Sequence, residues 1–328
     1  MITKFEQLPN ELILTCFSYF NFYELYEIFS NLNQRFNQLI QYESKLYINL
    51  DSIPNTKFLT FCLNLNQFIA TNRNYPVSVI AHDKYKLNFI FYDDLFKDKF
   101  SKLKSLTLSN ITVETIYSII FETTAKLYES LRRLKLLDGI SSEKKRDDNN
   151  IQKLCNNLIS SKMKSLIYLH LNFESFRCEC QNSRSSYTDD IYLDFKELSQ
   201  REKSLSHLET LIIGRICDDD NYIISIPILC FHSLITDLLP CLLKLKNLFI
   251  NSIHFMNYDN LRQNSALSTT TTNFILPLNL KSIKIWIDNL DDDDEEGNKN
   301  LTRNFFINNN LCKTAIIKIF NIEYEDEF

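Results

Sequence analysis

The sequence predicts an α/β protein: a small helical module at the amino terminus, then a solenoid of strand–helix units. Three observations carry this. The pattern Leu-x-x-Leu-x-Leu, with Ile allowed in any apolar place, recurs along the chain. Helix-like stretches separate its copies. The segment before residue 46 holds no copy and reads as three short helices instead.

The first helix runs from Pro9 to about Tyr19. Pro9 suits a first helical turn, where a missing N–H costs nothing, and Glu11 lies near the positive helix end. Apolar residues occur almost all round it: Leu12, Ile13, Leu14, Cys16, Phe17, Tyr19 and Phe20. A short surface helix normally hides one stripe, so this one has a second face to cover. A second helix spans about Tyr23 to Ser30, and a third begins near Asn33 with Phe36, Leu39 and Ile40 apolar. Three such helices in about 40 residues are at the limit of independent stability.

The repeat follows. Its strong copies start at Leu103 (LKSLTL), Leu131 (LRRLKL), Leu166 (LIYLHL), Leu208 (LETLII), Leu245 (LKNLFI) and Leu280 (LKSIKI). Weaker copies carry Ile48 with Leu50, Val77 with Val79, and Ile317 with Ile319. The middle apolar positions are Ile48, Val77, Leu106, Leu134, Leu169, Leu211, Leu248, Ile283 and Ile317. Alternation within each copy predicts a short strand. Helical stretches occupy ITVETIYSIIFETTAKLYES, NIQKLCNNLISS, DIYLDFKELSQREK and LTRNFFINNNLC. The very apolar run Ile223–Leu245 contains Pro227, His232, Asp237 and Pro240, so a buried helix of the array is predicted there rather than a membrane span.

Composition narrows the function. The chain has 328 residues, 45% hydrophobic and 13% aromatic, enough for a sizeable core. A net charge of −5 gives no global pull toward nucleic acid or an anionic membrane, and neither is predicted as a partner. Only Gly139, Gly214 and Gly297 are glycine, so neither a dinucleotide fingerprint nor a P-loop can be placed. The nine cysteines sit mostly in apolar stretches, as reduced core thiols do. Glu6 and Glu11 flank too short an apolar run for a secretory signal. A reducing, cytoplasmic or nuclear setting is therefore expected. No HExxH, GxSxG or paired CxxC occurs. Cys178 and Cys180 form one close thiol pair, and two ligands do not make a tetrahedral zinc site. No catalytic residue, metal or cofactor is predicted, and the chain is not expected to be an enzyme.

The stretch LPNELILTCFSYFNFYELYEIFSNLNQRFNQL resembles the F-box motif. Leu8, Pro9 and Glu11 match its opening Leu-Pro-x-Glu. Tyr19 and Phe20 match the aromatic-plus-aliphatic pair, Leu25 and Leu32 the later apolar positions, and Arg35 with Phe36 the Arg-aromatic pair. Phe20 stands where Leu is usual, Phe36 where Trp is frequent, and Cys16 where Ile is frequent. The repeats resemble the leucine-rich repeat in its longer, helix-bearing form, as a degenerate array whose consensus Asn or Cys is mostly missing. The resemblance implies an F-box over residues 1–45. It implies a leucine-rich-repeat solenoid of about eight units over 46–328, a horseshoe with a parallel sheet on its concave face and helices on its convex face. It also implies partners: a Skp1-like adaptor, through it a cullin, and a protein substrate for ubiquitination. The adaptor-binding set would be Leu8, Pro9, Glu11, Leu12, Ile13, Cys16, Phe17, Phe20, Leu25, Leu32 and Phe36.

In such strands the leucines point to the core and the intervening residues to the open face. This places Arg133, Lys135, Tyr168, His170, Phe249, Lys284 and Trp286 on a substrate-binding lane, of residue types that anchor interfaces. A one-residue slip would swap the two faces. Polar tracts at 138–150, 173–190, 214–221, 262–273 and 288–300 interrupt the array; most start just after a strand, which would set them along one rim. The competing reading is a scaffold outside any ligase, whose amino-terminal helices only cap the solenoid. It requires Leu12, Phe17 and Phe20 to pack against residues around Leu46 to Leu65.

Overall fold

Local signals start and stop the helices. The first, α1 (Asn10–Phe17), has Pro9 at its amino-terminal cap and Glu11 in its first turn. The second, α2 (Phe22–Phe29), opens with a reciprocal capping box: Asn21 Oδ1 accepts from Glu24 N at 3.1 Å and Glu24 Oε2 accepts from Asn21 N at 2.9 Å. The third, α3 (Gln34–Tyr42), is capped by Asn33, whose Oδ1 accepts from Phe36 N at 3.1 Å. The three helices fall where the sequence predicts them, with ends shifted by a residue or two.

The computed structural model describes residues 5–30, 32–42, 46–96, 98–137, 148–173, 192–201, 207–214, 228–254, 277, 279–288 and 315–320. The chain divides into two compact units, Met1–Ile111 with Thr115–Arg132, and Thr112–Glu114 with Arg133–Phe328.

In the first unit the three helices lead into β1 (Leu46–Asn49), α4 (Asn55–Asn72), β2 (Pro76–Ala81), α5 (Lys84–Tyr92) and β3 (Ser105–Ser109). The strands are parallel, in the order β1-β2-β3. Helix α4 buries Phe58, Phe61, Cys62, Leu65, Phe68 and Ile69, spaced as one face of a 3.6-residue period. It ends at Arg73, in the left-handed region at φ 55°, whose N–H reaches Ile69 O at 2.9 Å. Asp83 caps α5 by accepting from Tyr85 N at 2.8 Å and Lys86 N at 3.2 Å. The segment after β3 holds α6 (Val113–Tyr117), a π-helical turn at Ser118–Glu122 and α7 (Leu127–Ser130).

The second unit contains β4 (Arg133–Leu137), α8 (Asp148–Ile159), β5 (Tyr168–Leu171), β6 (Tyr192–Leu193), α9 (Lys196–Arg201) and β7 (Thr210–Ile213). It continues with β8 (Ile228–Cys230), α10 (Phe231–Ser233), β9 (Asn247–His254), β10 (Ser282–Asp288) and β11 (Ala315–Phe320). Its sheet is parallel in the order β4-β5-β7-β9-β10-β11, while β6 pairs with β8 and β8 with β9. Leu134, Leu169, Leu211, Leu248 and Ile283 stand side by side in the ladder and are all buried. Fully burying one such side chain contributes about 1.5–3 kcal/mol. Each unit is thus α/β with a parallel sheet, as the Leu-x-x-Leu-x-Leu spacing predicts.

Three sequence expectations are corrected. Ile48 pairs with Val79, not Val77, and Ile283 pairs with Ala315, not Ile317. Both shifts are of two residues, so the same side chains keep the same face. The run Ile223–Leu245 is not one helix: it supplies β8, the short α10, a π-helical turn at Leu234–Leu238 and a 3-10 turn at Leu239–Cys241. Its Pro240 lies in that last turn, where a continuing helix would clash. The predicted segment DIYLDFKELSQREK opens with a strand, β6, before α9 begins. Most of the five polar tracts, including Cys178 and Cys180, and the predicted helix LTRNFFINNNLC lie outside the described residues. No helix among the described residues is long and apolar enough to cross a membrane.

Candidate interaction surfaces

The helical module has an aromatic centre. Phe17 and Phe29 ring centroids are 4.9 Å apart, Phe29 and Phe36 5.6 Å, and Phe17 and Phe36 6.4 Å. Ile13, Phe17, Leu25 and Phe36 are all buried. Of the predicted adaptor-binding set, these four side chains lie inside the module, against one another's helices. Phe20 is partly exposed, its ring edge-on to Phe29 at 5.8 Å.

Helix α2 joins the module to the first strand–helix unit. Phe22 packs 4.8 Å from Phe68 and 6.2 Å from Phe61, and Tyr23 lies 6.0 Å from Phe61. Asn21 Nδ2 donates to Ser52 Oγ at 3.2 Å, and Lys57 Nζ pairs with Glu27 at 2.6 Å. So α2 has neighbours on both sides, within the module and on α4.

Helix α1 does not. Leu12 is 51% exposed and Tyr19 84%. Pro9 and Glu11 are exposed, and Leu8 and Cys16 are partly so. Pro9, Leu12 and Cys16 are spaced three and seven residues along, which brings them to one side of the helix, and exposed Tyr19 lies just past its end. Leu32 is 54% exposed and Ile28, four residues before it, 48%. The entry to this face is pinned by Arg35. Its Nε donates to Asn10 Oδ1 at 2.9 Å, one terminal nitrogen to Glu6 O at 2.5 Å, and the other to Leu8 O at 2.6 Å and Asn10 Oδ1 at 2.6 Å. The planar fork of guanidinium thereby fixes the Leu8–Pro9 turn relative to α3. The sequence places neither Arg35 nor Ile28 in the docking set; Ile28 lies in the last turn of α2, and Leu32 beyond its end.

The second surface is the open face of the sheet in the second unit. Register sets two rows across it. One is Arg133, Tyr168, Thr210, Asn247 and Ser282; the other is Lys135, His170, Ile212, Phe249 and Lys284. Arg133 and Lys135 are exposed, while Tyr168, Phe249 and Lys284 are partly so. Lys135 Nζ lies 5.8 Å from the Tyr168 ring centre and Lys284 Nζ 5.6 Å from that of Phe249, within cation–π range. Asn247 Nδ2 donates to Thr210 Oγ1 at 3.1 Å. Burial raises the Tyr168 hydroxyl pKa, and the nearby Arg133 charge opposes that rise.

His170 departs from the expected lane. It is only 8% exposed, and its Nε2 lies 2.9 Å from Gly214 O. Gly214 follows β7 at φ 97°, a conformation that favours glycine. Its carbonyl holds the imidazole down on the sheet, so His170 floors the lane instead of projecting from it. Ile212 beside it is buried as well. The Trp286 side chain lies outside the described residues.

Among the described residues no three His, Cys, Asp or Glu side chains are grouped to hold a metal ion. Burial pushes the Cys155 thiol up to about 12, and burial with the nearby Asp93 charge does the same for Cys62. Both are the opposite of activated nucleophiles. No protein-family model matches the chain, and no curated protein matches it significantly.

Proposed function

We propose that the chain is a recruiting adaptor with two binding surfaces and no catalytic step of its own. Its helical module, which resembles an F-box, docks a Skp1-like adaptor and through it a cullin-RING ubiquitin ligase. Its strand–helix array, which resembles leucine-rich repeats, holds the protein to be ubiquitinated. One observation carries this reading: Leu12 on α1 and Tyr19 just past it are exposed, with Cys16 partly so, while Arg35 fixes the Leu8–Pro9 entry to the helix. Exposed leucine and tyrosine on a short, braced helix suit a partner protein.

Capture by a purified Skp1-like adaptor is the test. The wild-type chain is expected to bind, and Leu12→Asp with Leu32→Asp to bind at least about tenfold more weakly, since each places a charge in an apolar contact. An intact, folded chain that captures no adaptor overturns the proposal.

A scaffold outside any ligase is the second reading, favoured by the packing of Phe22 on Phe61 and Phe68. Leu12 is half-exposed, the Phe17 and Phe20 rings lie against Phe29, and Phe22 is the ring that meets α4. A chain that keeps its array partners after Leu12→Asp but never meets an adaptor would fit this reading.

A further inference from the structure

The row Lys135, His170, Ile212, Phe249, Lys284 has a pattern that the recruiting proposal leaves undefined. Both ends are cationic. The middle is a buried imidazole, a buried isoleucine and a partly exposed phenylalanine. Arg133 adds a third cation two residues from Lys135 on the same face. Among the described residues neither lysine nor Arg133 has a carboxylate within ion-pair distance. Each lysine lies instead near an aromatic ring, Tyr168 or Phe249.

We infer that this lane takes an extended acidic protein segment laid across the strands, with carboxylates at two places and an apolar centre between them. Charge complementarity sets the occupant: three cations on one open face attract carboxylates, and an aliphatic or aromatic residue between them matches the partly exposed Phe249. Register sets the spacing. Four strand steps separate Lys135 from Lys284, roughly 19 Å at about 4.8 Å per step. An extended chain at about 3.3 Å per residue covers that in roughly six residues. The inference rests on the array being the recruiting surface and specifies what it recruits. A nucleic acid is the less fitting ligand, because the cations are few and the row between them offers apolar rather than polar contacts.

The probe is a series of labelled peptides with paired glutamates at both ends of a leucine-containing spacer of two to ten residues. Fluorescence anisotropy with the full chain reads the affinity. Tightest binding is expected when the two acidic pairs are roughly six residues apart, with steep weakening by salt. Lys135→Glu with Lys284→Glu is expected to weaken it roughly tenfold, by reversing the attraction at both ends. Both lysines are at the surface, and circular dichroism checks that the variant folds. Affinity that is equal at every spacing, or indifferent to the double variant, overturns the inference. So does tighter binding of a single-stranded RNA of equal length. The Leu12→Asp chain is expected to bind the best peptide as wild type does. Peptide failure with adaptor capture intact therefore removes the lane alone, and capture failure with peptide binding intact removes the docking module alone.

Discussion

Lys86 shows what a single residue does in this fold. Its ammonium is buried and donates to Leu50 O at 3.2 Å and Ile53 O at 2.6 Å, 5.9 Å from the Phe58 ring centre. It satisfies two carbonyls of the turn that leads into α4, groups that water would otherwise have to reach. Arg35 does the same at the entry to α1, with three acceptors held by one fork. The cysteines divide by environment. Cys155 and Cys62 are buried, with thiols held from the ordinary 9.0 up to about 12, whereas Cys16 is partly exposed on α1. The thiolate is the reacting form. A maleimide at pH 8 is therefore expected to label Cys16 well before Cys62 or Cys155, and a bound adaptor to slow labelling of Cys16; peptide mass spectrometry reads both. The same shift has a stability consequence. Below about pH 9 these thiols are neutral whether the chain is folded or unfolded. Above it the unfolded thiols ionise and the buried ones do not, so their contribution falls as pH rises toward about 12.

At the scale of elements, α2 is the piece on which the first unit turns. One side meets the aromatic centre of the module and the other meets α4. Phe22 is buried between Tyr26, Phe61 and Phe68. Phe22→Ala is expected to destabilise the first unit by about 3–5 kcal/mol, the range for deleting a buried phenyl group, and urea unfolding followed by far-ultraviolet circular dichroism measures it. The equivalent change at exposed Leu12 is expected to leave that transition within about 0.5 kcal/mol. How legible these elements are in the sequence varies for physical reasons. The module helices are plain because Pro9, Asn21 and Asn33 punctuate them. Helix α4 carries an equally plain signal, since Phe58, Phe61, Cys62, Leu65, Phe68 and Ile69 keep a helical period. Strands β6 and β8 are two and three residues long, too short for alternation to register. The sides of α1 were not legible. Its residues are apolar almost all round, and only packing separates Ile13 and Phe17, which turn in, from Leu12 and Tyr19, which do not.

At the scale of the molecule, each unit keeps the two sides of its own sheet, because a pairing offset by two residues leaves parity intact. The pairings Ile48 with Val79 and Ile283 with Ala315 differ from the sequence alignment, and Arg133, Lys135 and Lys284 still share the open face. Register sets His170 in the row of Lys135 and Lys284, and its burial goes with the contact to Gly214 O, between residues 44 apart, which no local pattern encodes. The division into units carries a further consequence. The sequence places a boundary at residue 45, whereas the compact first unit runs on through Ile111. Removing residues 1–45 therefore does more than delete three helices. It uncovers Phe61 and Phe68, removes Asn21 from Ser52 and leaves Lys57 without Glu27. Hydrogen exchange on the truncated chain is expected to show lost protection in β1 and α4, while Leu12→Asp preserves it there. If truncation leaves α4 protection unchanged, α2 is a passive neighbour and the module is a separable domain. With protection lost, a truncated chain that fails to capture an adaptor reports a damaged unit, and the point variants on α1 are the ones that test docking itself.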